Sequence, residues 1–225
     1  MHIPDGFIDI PTSVAFAGLA ATGVAISLKG ARSSLDEKTA PLAGLTATFI
    51  FAVQMLNFPV AAGTSGHLLG GALAAVLVGP WAASLALTVV LLMQALLFAD
   101  GGLTALGLNI FNMSLVGVWV GYLIFILVKK FLPKNKSSIS IAAFLAGLIS
   151  VPCAAAGFVL QYAIGGTATF SISQVLTAML GTHFLIGIGE GVITALAVGA
   201  VMASRSDLVY GYKRTTQLLE TRVNQ

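Results

Sequence analysis

Long apolar runs separated by short polar stretches dominate the chain. We distinguish seven such runs, at about 11–28, 40–56, 67–79, 81–99, 106–128, 139–162 and 174–203. The runs are continuous and do not alternate with polar residues, which excludes a membrane β-barrel. Because a crossing needs about 20 apolar residues, the pattern predicts an all-α integral membrane protein, a bundle of seven transmembrane helices.

The third run is too short for a full crossing. Residues 67–79 would rise about 20 Å as a helix, whereas the hydrocarbon core is about 30 Å thick. The preceding stretch, NFPVAAGTSG at 57–66, contains Gly and Pro but no charge. We expect it to form a broken or re-entrant loop that completes the crossing, which requires that protein or a cavity surround it.

The basic residues indicate the topology. All eleven lie in the loops after the first and fifth runs or near the C-terminus, at Lys29, Arg32, Lys38, Lys129, Lys130, Lys134, Lys136, Arg205, Lys213, Arg214 and Arg222. With seven crossings these segments share one side, which the positive-inside rule makes cytoplasmic. We therefore expect an outer N-terminus and one transmembrane domain over 1–225, with a cytoplasmic tail from about 204–225.

Composition supports the same class. The chain is 57% hydrophobic and 8% charged, with a mean hydropathy of +0.98 and a formal net charge of +3. Soluble domains carry about 25% charged residues. The one cysteine, Cys153, excludes an internal disulfide and a multi-cysteine metal site, and we expect it to be a small buried hydrophobe. The bilayer is the expected environment, and no nucleic-acid partner is expected.

Polar residues within apolar runs are costly and are therefore functional candidates. Besides His2 at the N-terminus, they are Gln54, Asn57, His67, Asn109, Asn112, His183 and Glu190. The amides either form hydrogen bonds between helices or support a site. Ser65, next to His67 in the glycine-rich stretch, is a further supporting candidate.

The N-terminal segment, residues 1–10, starts with Met1 and His2. Bulky histidine is expected to leave Met1 in place, so the terminal amine, the His2 amide nitrogen and the His2 imidazole could form two fused chelate rings. Such a plane of nitrogens suits Ni(II) or Cu(II) and leaves a fourth position open. The alternative is a solvated terminal histidine.

His67 lies in GTSGHLLGG, residues 63–71. It is either the fourth nitrogen ligand or a structural histidine in a packing loop. No lysine follows the glycines, so a phosphate-binding loop is excluded.

His183 and Glu190 lie seven residues apart, near one face of the last predicted helix. The HExxH zinc signature is missing. Glu190 could neutralise a cation, orient a ligand or dock a helix, and both residues are candidates for structural support.

The second predicted helix carries Ala43 and Ala47 one turn apart. Small residues at this spacing permit close helix packing, either within the bundle or against a partner protein.

Together, MHIPDGF, QMLNFP, GTSGHLLGG, GLNIFNMS and GIGEG resemble the CbiM/NikM family, the substrate-binding (S) components of energy-coupling-factor (ECF) transporters for nickel and cobalt. The resemblance spans Met1 to about Ala200. It implies seven transmembrane helices and a square-planar metal held by the Met1 amine, the His2 amide and imidazole nitrogens, and His67. It also implies a transmembrane coupling (T) protein, two cytoplasmic ATPases, often a small accessory membrane subunit, and a prokaryotic cell membrane.

We therefore expect an S component that captures Ni(II), with Co(II) as the alternative, from the outer side. It is expected to be neither an enzyme nor a cofactor protein, since the chain has no phosphate-binding loop and any ATP must be hydrolysed by partners. The alternatives are a stand-alone membrane transporter and a membrane enzyme that uses His183 and Glu190.

Overall fold

The structure is a computed structural model that describes residues 1–33, 37, 39–60, 64–133 and 135–212. Its elements are α1 Ile10–Arg32, α2 Thr39–Gln54, β1 Phe58–Val60, β2 Thr64–Gly66, α3 Gly71–Val78, α4 Pro80–Leu97, α5 Leu106–Asn109, α6 Val118–Phe131, α7 Lys136–Gly165 and α8 Ile172–Arg205. A π-helical segment, Ile110–Gly117, joins α5 to α6. Five of the basic residues used for the topology lie outside the described residues: Lys38, Lys134, Lys213, Arg214 and Arg222.

Side chains next to the helices determine where several of them begin. Asp9 precedes α1 and accepts a hydrogen bond from the Thr12 N–H. Ser171 and Gln174 form a reciprocal capping box at the start of α8. These contacts satisfy main-chain donors that have no partner within the first turn of a helix.

The predicted all-α membrane bundle is confirmed, and each apolar run contains a helix. Within the described residues, five helices are long and apolar enough to cross a membrane: α1, α4, the continuous rod over 106–131, α7 and α8. The sixteen-residue α2 is shorter. With eight residues, α3 rises only about 12 Å, so it is even shorter than its apolar run suggested.

The short α3 lies at the centre of the bundle. All eight of its residues are buried, and it contacts α2, α4, α6 and α7. Gly121 of α6 permits one of these close approaches, because a β-carbon at that position would lie 2.9 Å from the Ala72 α-carbon. The middle of the bundle is therefore a helix packed by small residues.

Two short strands, β1 and β2, lie between α2 and α3. β1 and β2 are antiparallel, with Phe58 opposite Gly66 and Val60 opposite Thr64. Their pairing satisfies main-chain groups that a loop without helix would otherwise leave unpaired. The described part of the predicted broken segment therefore contains two paired strands, the second of which leads directly into His67, while the segment's role in completing the crossing stays a prediction.

Two details differ from expectation. Cys153 is partly exposed on α7, so it is not the fully buried hydrophobe that was predicted. Beyond α8, at the start of the predicted tail, Val209 is fully buried and the Tyr210 ring lies against Gly79. The chain therefore packs back on the bundle after α8, and the predicted tail residues 213–225 lie outside the described residues.

The close approach of α6 to α3 gives a prediction about stability. We expect Gly121→Val to lower the free energy of unfolding by about 1–3 kcal/mol, because the added atoms must displace Ala72. Gly44→Val, on the exposed face of α2 where a β-carbon meets nothing within 4 Å, is the matched control. Thermal unfolding in detergent measures both, and equal stability of the two variants would contradict the packing argument.

Candidate metal centre

The N-terminal segment is buried inside the bundle. Met1 and Ile3 are 0% exposed and His2 is 4% exposed. Asn109 holds Ile3 by both main-chain groups: the Ile3 N–H donates to Asn109 Oδ1 at 2.8 Å, and Asn109 Nδ2 donates to the Ile3 carbonyl at 3.2 Å. The N–H of Gly102 donates to the same carbonyl at 2.8 Å. The first three residues are therefore fixed in position by the start of the α5–α6 rod and the loop before it.

Further contacts hold the rest of the segment. Asp5 Oδ1 accepts hydrogen bonds from the Thr104 N–H at 2.7 Å and the Thr104 hydroxyl at 2.6 Å. The Asp9 N–H donates to the carbonyl of Gly165, at the end of α7, at 2.7 Å. The segment therefore connects α7 to the loop before α5.

Gln94 of α4 determines which nitrogen of His2 is available. His2 Nε2 lies 3.2 Å from Gln94 Oε1. Because an amide oxygen only accepts, Nε2 carries the proton and Nδ1 keeps its lone pair. That Nδ1 is buried and has no hydrogen-bond partner, although Asp100 Oδ1 lies 3.2 Å away. Nδ1 is the ring nitrogen that can share a chelate ring with the His2 amide nitrogen.

His67 presents a second such nitrogen. It is 1% exposed, and its Nδ1 donates to the carbonyl of Leu68 at 2.9 Å, so Nε2 keeps the lone pair. Nε2 is buried without a hydrogen-bond partner. The His67 and His2 rings stack with their centroids 4.6 Å apart and their planes 29° apart. Two imidazoles, each with an unpartnered nitrogen, therefore meet in one buried place.

Burial favours the neutral forms of the Met1 amine and the His2 imidazole by lowering the pKa of each group. It lowers the pKa of the Met1 amine to about 4, against an opposing effect from the Asp100 carboxylate. Burial and the neighbouring amine lower the pKa of His2 to about 3. Since both docked values lie below those of the free groups, docking of the segment is favoured at high pH and weakens as the pH falls.

Side chains alone do not provide a metal site in the part of the chain that the structure describes. No group of three or more His, Cys, Asp or Glu side chains is arranged there to hold an ion. The number of nearby nitrogen donors reaches four only when main-chain nitrogens are counted with the two imidazoles. The Met1 amine, the His2 amide nitrogen and two imidazole nitrogens would together supply the four donors that a square-planar ion takes.

The loop that carries His67 is attached to two helices. Glu190 of α8 accepts the Leu69 N–H at 2.5 Å and the Gly70 N–H at 2.9 Å, one with each carboxylate oxygen. Gln54, at the end of α2, donates to the Leu69 carbonyl at 2.6 Å. Both polar side chains therefore hold the main chain directly after the histidine.

The structure places the remaining candidates in different roles. His183 is fully buried; its Nδ1 donates to the Met179 carbonyl at 2.8 Å, and its Nε2 has no hydrogen-bond partner. Glu190 bonds to the His67 loop and His183 to Met179, and no hydrogen bond joins His183 to Glu190 among the described residues. Asn112 and Gln161 exchange hydrogen bonds of 2.7 and 3.0 Å between the π-helical segment and α7, which is the structural role considered for this amide.

At the rim of the site, Asn57 Nδ2 donates to Asp100 Oδ2 at 3.2 Å. Ser65 Oγ is buried and has no hydrogen-bond partner. Ala43 and Ala47 are partly buried and pack against the core around α3, while their role in docking a partner stays a prediction.

Sequence reasoning missed Gln94, Asp100 and Gln161. Gln94 and Gln161 are single amides within apolar runs, so the rule that identified Gln54 applies equally to them. Asp100 is a single charge in a loop otherwise free of charge, ADGG at 99–102. The sequence therefore marks these three residues as unusual, but the spacing of residues along the chain does not predict which residues they contact across the bundle.

The chain is similar to known metal transport proteins. The family model for the cobalt uptake substrate-specific transmembrane region, CbiM, matches residues 2–208. A relative from Archaeoglobus fulgidus, named for fused nickel transport (NikMN), is 41% identical over 93% of this chain and 68% of its own. The cobalt transport protein CbiM of Sorangium cellulosum is 36% identical over 93% and 94%. The crystal structure of a truncated transition metal transporter superposes with a TM-score of 0.80 at 33% identity, covering 90% of this chain and 99% of that one.

The attachment of the His67 loop to α8 gives a second prediction. We expect Glu190→Gln to weaken Ni(II) affinity about tenfold or more, since an amide can accept from only one of the two N–H donors. Glu37→Gln removes a charge from an exposed loop and is the control. Calorimetry measures the affinity and thermal unfolding checks the fold. A well-folded Glu190→Gln protein with unchanged affinity would show that the loop does not need this anchor.

The low pKa values give a third prediction. If the amine is already neutral, Ni(II) binding at pH 7 should release about one proton, from the His2 amide. An undocked terminus, with an amine pKa of about 8, would release about two. Calorimetry in buffers of different ionisation enthalpy counts these protons. A count near two would mean that the terminus is not docked before the metal binds.

Proposed function

The chain belongs to the CbiM family of substrate-specific transmembrane proteins for cobalt uptake, and from this we propose that it is the S component of an ECF-type importer for Ni(II) or Co(II). One observation carries the proposal. The buried N-terminus brings the His2 ring onto His67, and each ring has a buried nitrogen without a partner. Unpaired buried polar atoms are costly, so their presence in pairs favours a ligand that satisfies both.

The proposed capture uses four nitrogens. The Met1 amine and the His2 amide nitrogen close a five-membered ring with the ion, and the amide with His2 Nδ1 closes a six-membered ring. His67 Nε2 takes the fourth position. The amide must lose its proton to bind, whereas the docked amine and imidazoles are neutral beforehand. A planar nitrogen set favours Ni(II), and Co(II) is the alternative substrate.

The rest of the importer would be formed by other chains. We expect a T protein, two cytoplasmic ATPases and, in some assemblies, a small accessory membrane subunit. The site would face the outer side of the cell membrane, because the positive-inside rule places the N-terminus there. Ala43 and Ala47 stay candidates for T-protein docking, although their burial means that a large substitution would also disturb the core.

The chelate gives a fourth prediction. We expect His2→Ala and His67→Ala to abolish stoichiometric Ni(II) binding, because each removes at least one of the four donors. His183→Ala is the matched control: it removes another buried histidine with an unpartnered Nε2, yet should leave binding intact. Metal content and the electronic spectrum of purified protein measure the result. Loss of binding in His183→Ala with retention in His67→Ala would mean that the fourth ligand is misassigned.

An N-terminal extension tests the amine independently, once the intact mass has shown that Met1 is the first residue. The extension should be two residues long, because one added residue would create an amine, two amides and an imidazole that chelate metal without His67. We expect the extended protein to lose the spectrum of the bound ion. An unchanged spectrum and stoichiometry would exclude the Met1 amine as a ligand.

A further inference from the structure

We propose that Asp100 and the unpartnered Nδ1 of His2 form a loading site, where an incoming hydrated divalent cation binds before it reaches the buried nitrogens. This inference rests on the proposed function, since it concerns the path to that site. It assigns a separate and earlier role to a carboxylate that the four-nitrogen chelate does not use.

An open cleft reaches the terminal histidine. The cleft has a volume of about 540 Å³. Its lining consists of His2, Pro4 and Asp5 from the N-terminal segment, residues 57–60 and Ser65 around β1 and β2, and residues 99–102 after α4. His2 is otherwise 4% exposed, so this cleft is where solvent comes nearest to its ring. An ion that arrives with its water shell therefore meets Asp100 and His2 Nδ1 together.

Asp100 and His2 lie close together but share no hydrogen bond. Gln94 Oε1 accepts the proton of His2 Nε2, so Nδ1 keeps its lone pair, and Nδ1 lies 3.2 Å from Asp100 Oδ1 without forming a hydrogen bond to it. Two adjacent ligands of one divalent ion, each about 2.1 Å from it, lie about 3 Å apart with their lone pairs directed at the ion and not at each other. Asn57 donates to the other oxygen, Oδ2, at 3.2 Å, which holds the carboxylate beside the ring.

Both donors suit a first encounter. Divalent transition-metal ions accept carboxylate oxygen and imidazole nitrogen, and they can keep water in their other positions. A negative charge in a cleft also raises the local cation concentration and the association rate. His2 Nδ1 would stay bound throughout, while Asp100 and the waters are replaced by the amine, the amide nitrogen and His67 Nε2.

Stopped-flow binding of Ni(II) to the full-length protein in detergent tests the loading site. A two-step path predicts that the observed rate saturates as the Ni(II) concentration rises. We expect Asp100→Asn to reduce the second-order rate about tenfold at low ionic strength, and to reduce it less at high ionic strength. Dissociation should slow by a similar factor, because the same site lies on the exit path. The equilibrium affinity and the final spectrum should stay close to those of the parent protein.

Three comparisons complete the experiment. Asp100→Glu should restore most of the rate, and Asn57→Ala, which releases the carboxylate, should give an intermediate rate. Asp207→Asn removes an equal charge from an exposed ion pair beyond α8 and should change nothing. Parent rates in both Asp100→Asn and Asn57→Ala would overturn the loading site. A changed final spectrum in Asp100→Asn would overturn it too, by making Asp100 an equilibrium ligand. Failure of the parent protein to bind Ni(II) would instead refute the proposed function.

Discussion

The structure depends on burying its own N-terminus. A charged amine in this place would face a large desolvation penalty, and burial lowers its pKa to about 4 instead. Once neutral, the terminus still needs main-chain partners, which the reciprocal hydrogen bonds between Ile3 and Asn109 provide. The surrounding helices then pack on Met1, Ile3 and Phe7 as part of the hydrophobic core. The donor groups are thus held by the fold itself, not by a mobile end.

In each of the two histidine rings, one nitrogen is hydrogen-bonded and the other is buried without a hydrogen-bond partner. Gln94 and the Leu68 carbonyl each take one ring proton, from His2 and His67, which fixes the free lone pairs on Nδ1 and Nε2. Glu190 and Gln54 hold the main chain after His67 from α8 and α2. Rigid support of this kind reduces the rearrangement needed on binding, and second contacts of metal ligands commonly orient the rings and fix their tautomers.

The helices were predictable from sequence because their signal is local. The run at 139–162 became α7 over Lys136–Gly165, and the shortness of the third run anticipated α3. The pairing of β1 with β2 and the π-helical segment were not anticipated, since both depend on what packs around them. At the site, single polar residues in apolar runs marked His67, Asn109 and Glu190. Their partners were not readable, because the contact of His2 with Gln94 joins residues 92 positions apart and arises only when α4 packs beside the terminus.

The proposed set of four nitrogen ligands would also limit which metal ions the site can discriminate. Affinity at nitrogen ligands rises from cobalt to nickel to copper, so four nitrogens would hold Cu(II) more tightly than the proposed substrates. Neither Asp100 nor the open cleft opposes copper, because a carboxylate attracts any divalent cation. Selection among these ions must therefore come from which ion is available outside, or from how readily each one leaves. A planar site that binds copper without release would be blocked by it, so an importer built on this chelate works only where free Cu(II) is scarce.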